Sequence, residues 1–218
     1  MHPILRLYED SISGGAAPVQ LPALARVIFL VHGGVSIGDK TLRDGETWYG
    51  EGACSLAAGT DGVTLWRFEL TAPGSGGNIL GGPGVRSQEK LSAALETIPQ
   101  GELLLRADSV AFPPGGCAFL HKHWGPGIRC LLEGGIRIDT HGRSTSYGPG
   151  CAWYETGSDP VFAQAAMDRP SRFIRVMVLP RALLGKSSFQ FVNEEDKAKP
   201  RVQQYKIFVD APIATPKS

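Results

Sequence analysis

Two pairs of segments in this chain read as copies of each other, and that duplication limits the fold more than any other feature. Val27-Ile-Phe-Leu-Val-His-Gly-Gly-Val-Ser-Ile37 reads against Ile128-Arg-Cys-Leu-Leu-Glu-Gly-Gly-Ile-Arg-Ile138. Each is an apolar run, a Gly-Gly pair and a second β-rich run. A further block also matches without a gap: Tyr49 to Val63 against Tyr147 to Val161, with Tyr, three Gly, Asp and Val recurring in register. Between the blocks the first copy is three residues longer, in what reads as a hairpin loop. Two blocks in one order, with one small loop difference, make the chain a tandem duplication. A length of 218 residues is enough for two small domains.

The composition says what each copy is made of. The chain carries 28 Gly and 16 Pro, set between short apolar runs rather than in any collagen-like period. Short strands punctuated by such turn residues point to a barrel or sandwich. The expected fold class is therefore all-β, two tandem barrels in one chain. The first barrel is expected over residues 1–75 and the second over 102–182, the latter opening on Leu103, Leu104 and Leu105. Between them, 76–101 reads as linker and short helix. Ala72 to Gly84 has linker composition. Ser87 is a candidate N-cap, Leu91, Ala94 and Leu95 form an apolar stripe, and Pro99-Gln-Gly101 ends the helix. After the second barrel, 183–218 is an extension with a last strand expected near Gln204 to Val209.

The candidate chemistry lies in Phe112-Pro-Pro-Gly-Gly-Cys-Ala-Phe-Leu-His-Lys-His-Trp-Gly-Pro-Gly127. His121 and His123 are two apart. On a strand such residues share a face, about 6.6–7 Å apart along the backbone, so two imidazoles can converge on one ion. A regular strand would put Cys117 and Phe119 on that face too, and Leu120 and Lys122 on the other.

With the glycines around it, this segment resembles the first motif of the cupin superfamily: Gly115 or Gly116, His121, His123 and Gly134 match it. Gly150, Trp153-Tyr-Glu155 and the turn at Thr156-Gly-Ser-Asp-Pro160 are similar in shape to the second motif. The resemblance spans roughly residues 20–180 and implies two jelly-roll-like cupin barrels, a bicupin, with any metal held inside. The sequence also departs from the family pattern. The motif-one Glu falls at Gly127 or Ile128, and the motif-two His at Val161 or Pro160, and none of these ligates through a side chain. In the first copy the His-x-His positions fall at Gln20 and Pro22, which makes that half metal-free.

What the resemblance implies for the site is a divalent metal (Fe, Zn, Ni or Mn) on His121 and His123, with Glu155 as the carboxylate that completes the set. A two-His-one-carboxylate set with open positions suits non-haem iron. Glu155 is alternatively free to pair with Arg129. Arg129, inward-facing two residues beyond the lost Glu, suits a substrate carboxylate, since its fork binds such groups bidentately, or an internal ion pair. Phe119, Trp153 and Gln164 are candidate substrate contacts.

Other partners are constrained by the totals. A net charge of +1 gives no basic face for nucleic acid. No apolar run approaches the roughly 20 residues that span a bilayer, and the first ten residues do not read as a signal peptide, so the expected location is the cytoplasm. Cys54, Cys117, Cys130 and Cys151 have no CxxC spacing and read as free thiols. Exposed sheet edges leave the oligomeric state open, with a homodimer favoured. Three functions remain: a metal-dependent dioxygenase- or isomerase-like enzyme, a small-molecule binding or sensing module, and a structural bicupin.

Overall fold

The computed structural model describes residues 2–214. Apart from two 3-10 turns, Arg181–Leu183 and Glu194–Ala198, all its regular structure is strand. Among the described residues no helix is long and apolar enough to cross a membrane. The chain divides into two compact units, residues 2–94 and 95–214.

The first unit is a seven-stranded sheet built from β1 (Ile4–Ile12), β2 (Val19–Leu21), β3 (Ala25–Ile37), β4 (Lys40–Arg43), β5 (Thr47–Gly50), β6 (Cys54–Thr71) and β7 (Val85–Ala94). Its main path is β4-β3-β6-β1-β7. The long strands β3 and β6 serve both halves of the barrel. Ile12, Ile28, Leu30, Val35, Leu56 and Leu65 pack together in its core.

In the second unit the same path is cut into two five-stranded sheets. One runs β13 (Ala152–Glu155), β10 (Gly127–Glu133), β15 (Ser171–Pro180), β8 (Leu103–Phe112), β17 (Gln204–Ile213). The other runs β12 (Arg143–Tyr147), β11 (Ile136–Thr140), β14 (Val161–Ala165), β9 (Cys117–His123), β16 (Phe189–Phe191). Val110, Phe112, Leu131 and Phe173 from the first pack on Ala118, Ile138, Val161 and Ala163 from the second. The Gly-Gly pair of the repeat is the corner between them. Gly134 has φ +84°, and a Cβ there would lie 2.2 Å from the Pro170 carbonyl oxygen, so only glycine makes this crossing.

Strand registers show how the copies correspond. Ile28 pairs with Arg67, and Arg129 with Arg175; Tyr8 pairs with Arg67, and Asp108 with Arg175. Thus β1, β3 and β6 match β8, β10 and β15, and Arg67 is the counterpart of Arg175. Ile28 also pairs with Trp48 where Arg129 pairs with Trp153. This corrects the second repeat block: Trp48-Tyr49 corresponds to Trp153-Tyr154, not Tyr49 to Tyr147. Similar Gly spacing had aligned a turn with the wrong turn.

The linking helix is also corrected, because Ser87 to Ala94 is strand β7. It pairs antiparallel with β1, from Ile4 opposite Ala94 to Ile12 opposite Val85. Without it β1 would present an open row of backbone donors and acceptors. The Ser87 hydroxyl donates to Asp10 Oδ1 (2.5 Å) and caps no helix. Local helix propensity is a weak prior that such tertiary pairing overrides. Likewise β17 covers β8, from Leu103 opposite Ile213 to Ala111 opposite Gln204.

Candidate functional site

The two histidines face the interior of the second barrel, but by a route the sequence did not reveal. Along β9 and β14, His121 lies opposite Val161 and Ala118 opposite Ala163. Three steps on β9 therefore span two on β14, which is a β-bulge. The extra residue turns Ala118 inward and Phe119 out. Phe119 lies under the Lys199 ammonium, 4.5 Å from its ring centroid, and does not line the histidine cavity. Cys117 also lies off the histidine face. In the first unit the pairing is regular, Val19 opposite Leu56 and Leu21 opposite Cys54. The counterpart of His121 is thus Leu21, one residue from the expected Gln20.

His121 and His123 are 5% and 6% exposed, with ring centroids 4.9 Å apart. The Phe119 carbonyl accepts from His121 Nδ1 at 2.8 Å, which leaves Nε2 as the unprotonated nitrogen. His123 Nε2 has Arg175 Nη1 at 3.4 Å, so that nitrogen accepts and Nδ1, 3.5 Å from Ser188 Oγ, carries the proton. Burial pushes the His121 pKa down to about 4. Burial, then the charges of Arg175 and Arg129, holds His123 well below the usual range. Both rings are neutral at neutral pH.

Glu155 and Arg129 find each other. Arg129 Nη2 is 2.7 Å from Glu155 Oε2, and Arg129 Nη1 donates to the Gly127 carbonyl at 2.7 Å. Trp153 Nε1 donates to Glu155 Oε1 at 2.8 Å. Trp153 is buried in the barrel core, stacked on Tyr147, and so orients the carboxylate rather than contacting a ligand. Glu155 Oε2 is 3.7 Å from His123 Nε2. Gln164 is on the outer face of β14, because Val161, Ala163 and Ala165 take the inner one; its Nε2 is directed to Met167 Sδ at 3.9 Å.

The residue that sequence reasoning missed is Arg175. It forms a bidentate pair with Asp108, Nε to Oδ1 at 2.9 Å and Nη2 to Oδ2 at 2.7 Å, with both side chains buried. Its third nitrogen reaches His123. Burial opposes its charge, but Asp108 outweighs burial and raises its pKa. Arg129 is lowered to about 10, chiefly by burial, with Glu155 opposing the shift and Arg175 adding to it. The only advance signal was an Arg at an inward position of a strand paired with β10.

A divalent metal does not fit these residues as arranged. The His123 nitrogen that would bind it accepts from Arg175; Glu155 Oε1 accepts from Trp153, and Oε2, which accepts no hydrogen bond, lies against the Arg129 guanidinium at 2.7 Å. Among the described residues no group of three or more His, Cys, Asp or Glu side chains is placed to hold an ion. Two guanidinium groups beside the imidazoles also oppose added positive charge. The cavity they line, about 20 Å³, has room for roughly one water molecule. Phe189 closes it, stacked on His121 at 4.3 Å, together with Tyr205.

The paired sheets and their duplicated strand order decide the architecture. The chain has the bicupin fold. No family model and no curated protein matches the sequence. Among solved structures, this bicupin is similar to an oxalate decarboxylase of Lactobacillus farciminis in a formate complex, with TM-score 0.64, 14% identity, 92% of this chain and 82% of that one. It is also similar to a Bacillus subtilis oxalate decarboxylase variant, with TM-score 0.61 and 14% identity over 89% and 73% of the two chains. A Cupin 2 conserved barrel domain protein from Leptotrichia buccalis matches at TM-score 0.50 and 14% identity, over 81% and 84%.

Proposed function

We propose that the second barrel of this bicupin is a metal-independent binding module for a small carboxylate. The observation that carries this is a pair of buried guanidinium groups, Arg129 and Arg175, lining one cavity with two neutral imidazoles. Both arginines are already matched by a carboxylate, Glu155 and Asp108. A ligand carboxylate would compete with Glu155 for Arg129 and accept from the planar fork. The similarity in fold to an oxalate decarboxylase solved with formate supports a ligand of this kind. The dioxygenase- and isomerase-like readings, and the Fe, Zn, Ni or Mn ion they need, are not favoured by a histidine nitrogen held by Arg175.

The cavity must open for a ligand larger than water, by Phe189 leaving His121. A second reading, a structural barrel whose charges pair among themselves, is favoured by that small volume. Calorimetric titration of formate and acetate in the presence of a chelator separates the two. Binding by the native chain, lost in a folded Arg129→Met variant, is the expected result. No binding heat by the native chain supports the structural barrel instead.

A further inference from the structure

The closed cavity has a neighbour. A groove of about 210 Å³ lies against it on the same barrel, and the two share Arg175, Phe189 and Tyr205 as walls. Ile207, on the edge strand β17, lines the groove as well. The groove therefore has a charged end, where Arg175 meets Asp108, and an apolar length made by Phe189, Tyr205 and Ile207. Tyr205 and Ile207 remain 48% and 47% exposed although they lie beside each other's face on one strand. Tyr205 pairs with Val110 and Ile207 with Asp108 across the ladder, so both stand on the inner face of the sheet, at its rim. Large apolar side chains left half in water, next to a buried guanidinium, are suited to an amphipathic ligand.

We infer that the ligand is a monocarboxylate with a short apolar tail, its carboxylate at Arg129 and Arg175 and its tail along Phe189, Tyr205 and Ile207. This rests on the carboxylate reading above and adds the tail. The groove's volume is below the roughly 300–1,000 Å³ of sites for drug-sized ligands, which limits the tail to a few carbons. The same tail explains how the cavity opens. Phe189 is the common wall, so a ring swung off His121 toward the tail joins the two spaces and stays in apolar contact.

The test is a calorimetric comparison of acetate, butyrate and hexanoate on the full chain, native and Ile207→Trp. Ile207 is at the exposed rim, so a larger ring there fills the groove without entering the core. Burying a methylene is worth up to about fourfold in affinity. Hexanoate is expected to bind at least tenfold more tightly than acetate, with butyrate between. In Ile207→Trp that advantage is expected to disappear, read as the ratio of hexanoate to acetate affinity within the variant. Equal affinity for all three, or an unchanged preference in Ile207→Trp, overturns the tail assignment and leaves the carboxylate reading standing. Failure of all three to bind overturns both.

Discussion

Arg175 Nη1 stands 3.4 Å from His123 Nε2, on the nitrogen through which that histidine would bind a metal. The same guanidinium is locked by two hydrogen bonds to Asp108. One arginine thus satisfies a buried carboxylate and a buried imidazole at once. Removing either partner of such a pair leaves a buried charge unmatched. Arg175→Met is expected to cost about 3–5 kcal/mol of stability, and Asp108→Leu with Arg175→Met to recover most of it, because removing both charges also removes the desolvation cost. Urea unfolding of the two variants checks this; equal losses in both would refute it.

Glu155→Gln tests the competition for Arg129. The amide oxygen still accepts from Trp153, but the ionic bond to Arg129 is lost, at about 1.5–3 kcal/mol of stability. An Arg129 without its internal carboxylate is more open to an external one. The variant is therefore expected to bind acetate more tightly than the native chain while unfolding at lower urea. Weaker acetate binding in this variant would mean that Glu155 assists the ligand rather than excluding it.

The histidines give the pH dependence. His121 has its pKa depressed from 6.5 to about 4, so between those values the unfolded chain holds more protons than the folded one. Stability is therefore full above about pH 6.5 and falls as pH drops toward 4, by on the order of 3 kcal/mol from this group. His123 shifts in the same direction and steepens the loss. Unfolding free energies of the native chain and His121→Gln, measured from pH 7.5 to 4, should diverge in slope over that window. Parallel curves would show that His121 titrates alike in both states.

Phe189 governs access. It stacks on His121 with an interplanar angle of 13° and walls both spaces. In Phe189→Ala the closed state loses its plug, so a carboxylate should associate faster than in the native chain, since less of the protein waits in a form that cannot bind. Stopped-flow tryptophan fluorescence, with Trp153 reporting through its bond to Glu155, reads that rate. An unchanged association rate would remove Phe189 as the gate.

The duplication, the strands and the inward histidine pair were legible because they rest on local patterns: apolar runs, turn glycines and a two-residue period. What was not legible depends on strands far apart in the sequence. The bulge in β9 that turns Phe119 out is visible only in its pairing with β14. Segment 87–94 has a helical stripe and becomes a strand because β1 needs an edge partner. Arg175 lies 52 residues from His123, and nothing in its own neighbourhood distinguishes it from other arginines on strands. Both roles open to Glu155 were visible; the 2.7 Å approach of Arg129 favours the ion pair.

In the function proposed for the second barrel, a guanidinium takes the place of a metal ion at His121 and His123. Plasma mass spectrometry decides it most directly, on untagged protein after loading with iron, zinc, nickel and manganese, beside His121→Ala/His123→Ala. Far less than one metal per chain is expected, with no difference between native and variant. About one metal per chain in the native protein, lost in the variant, would contradict it.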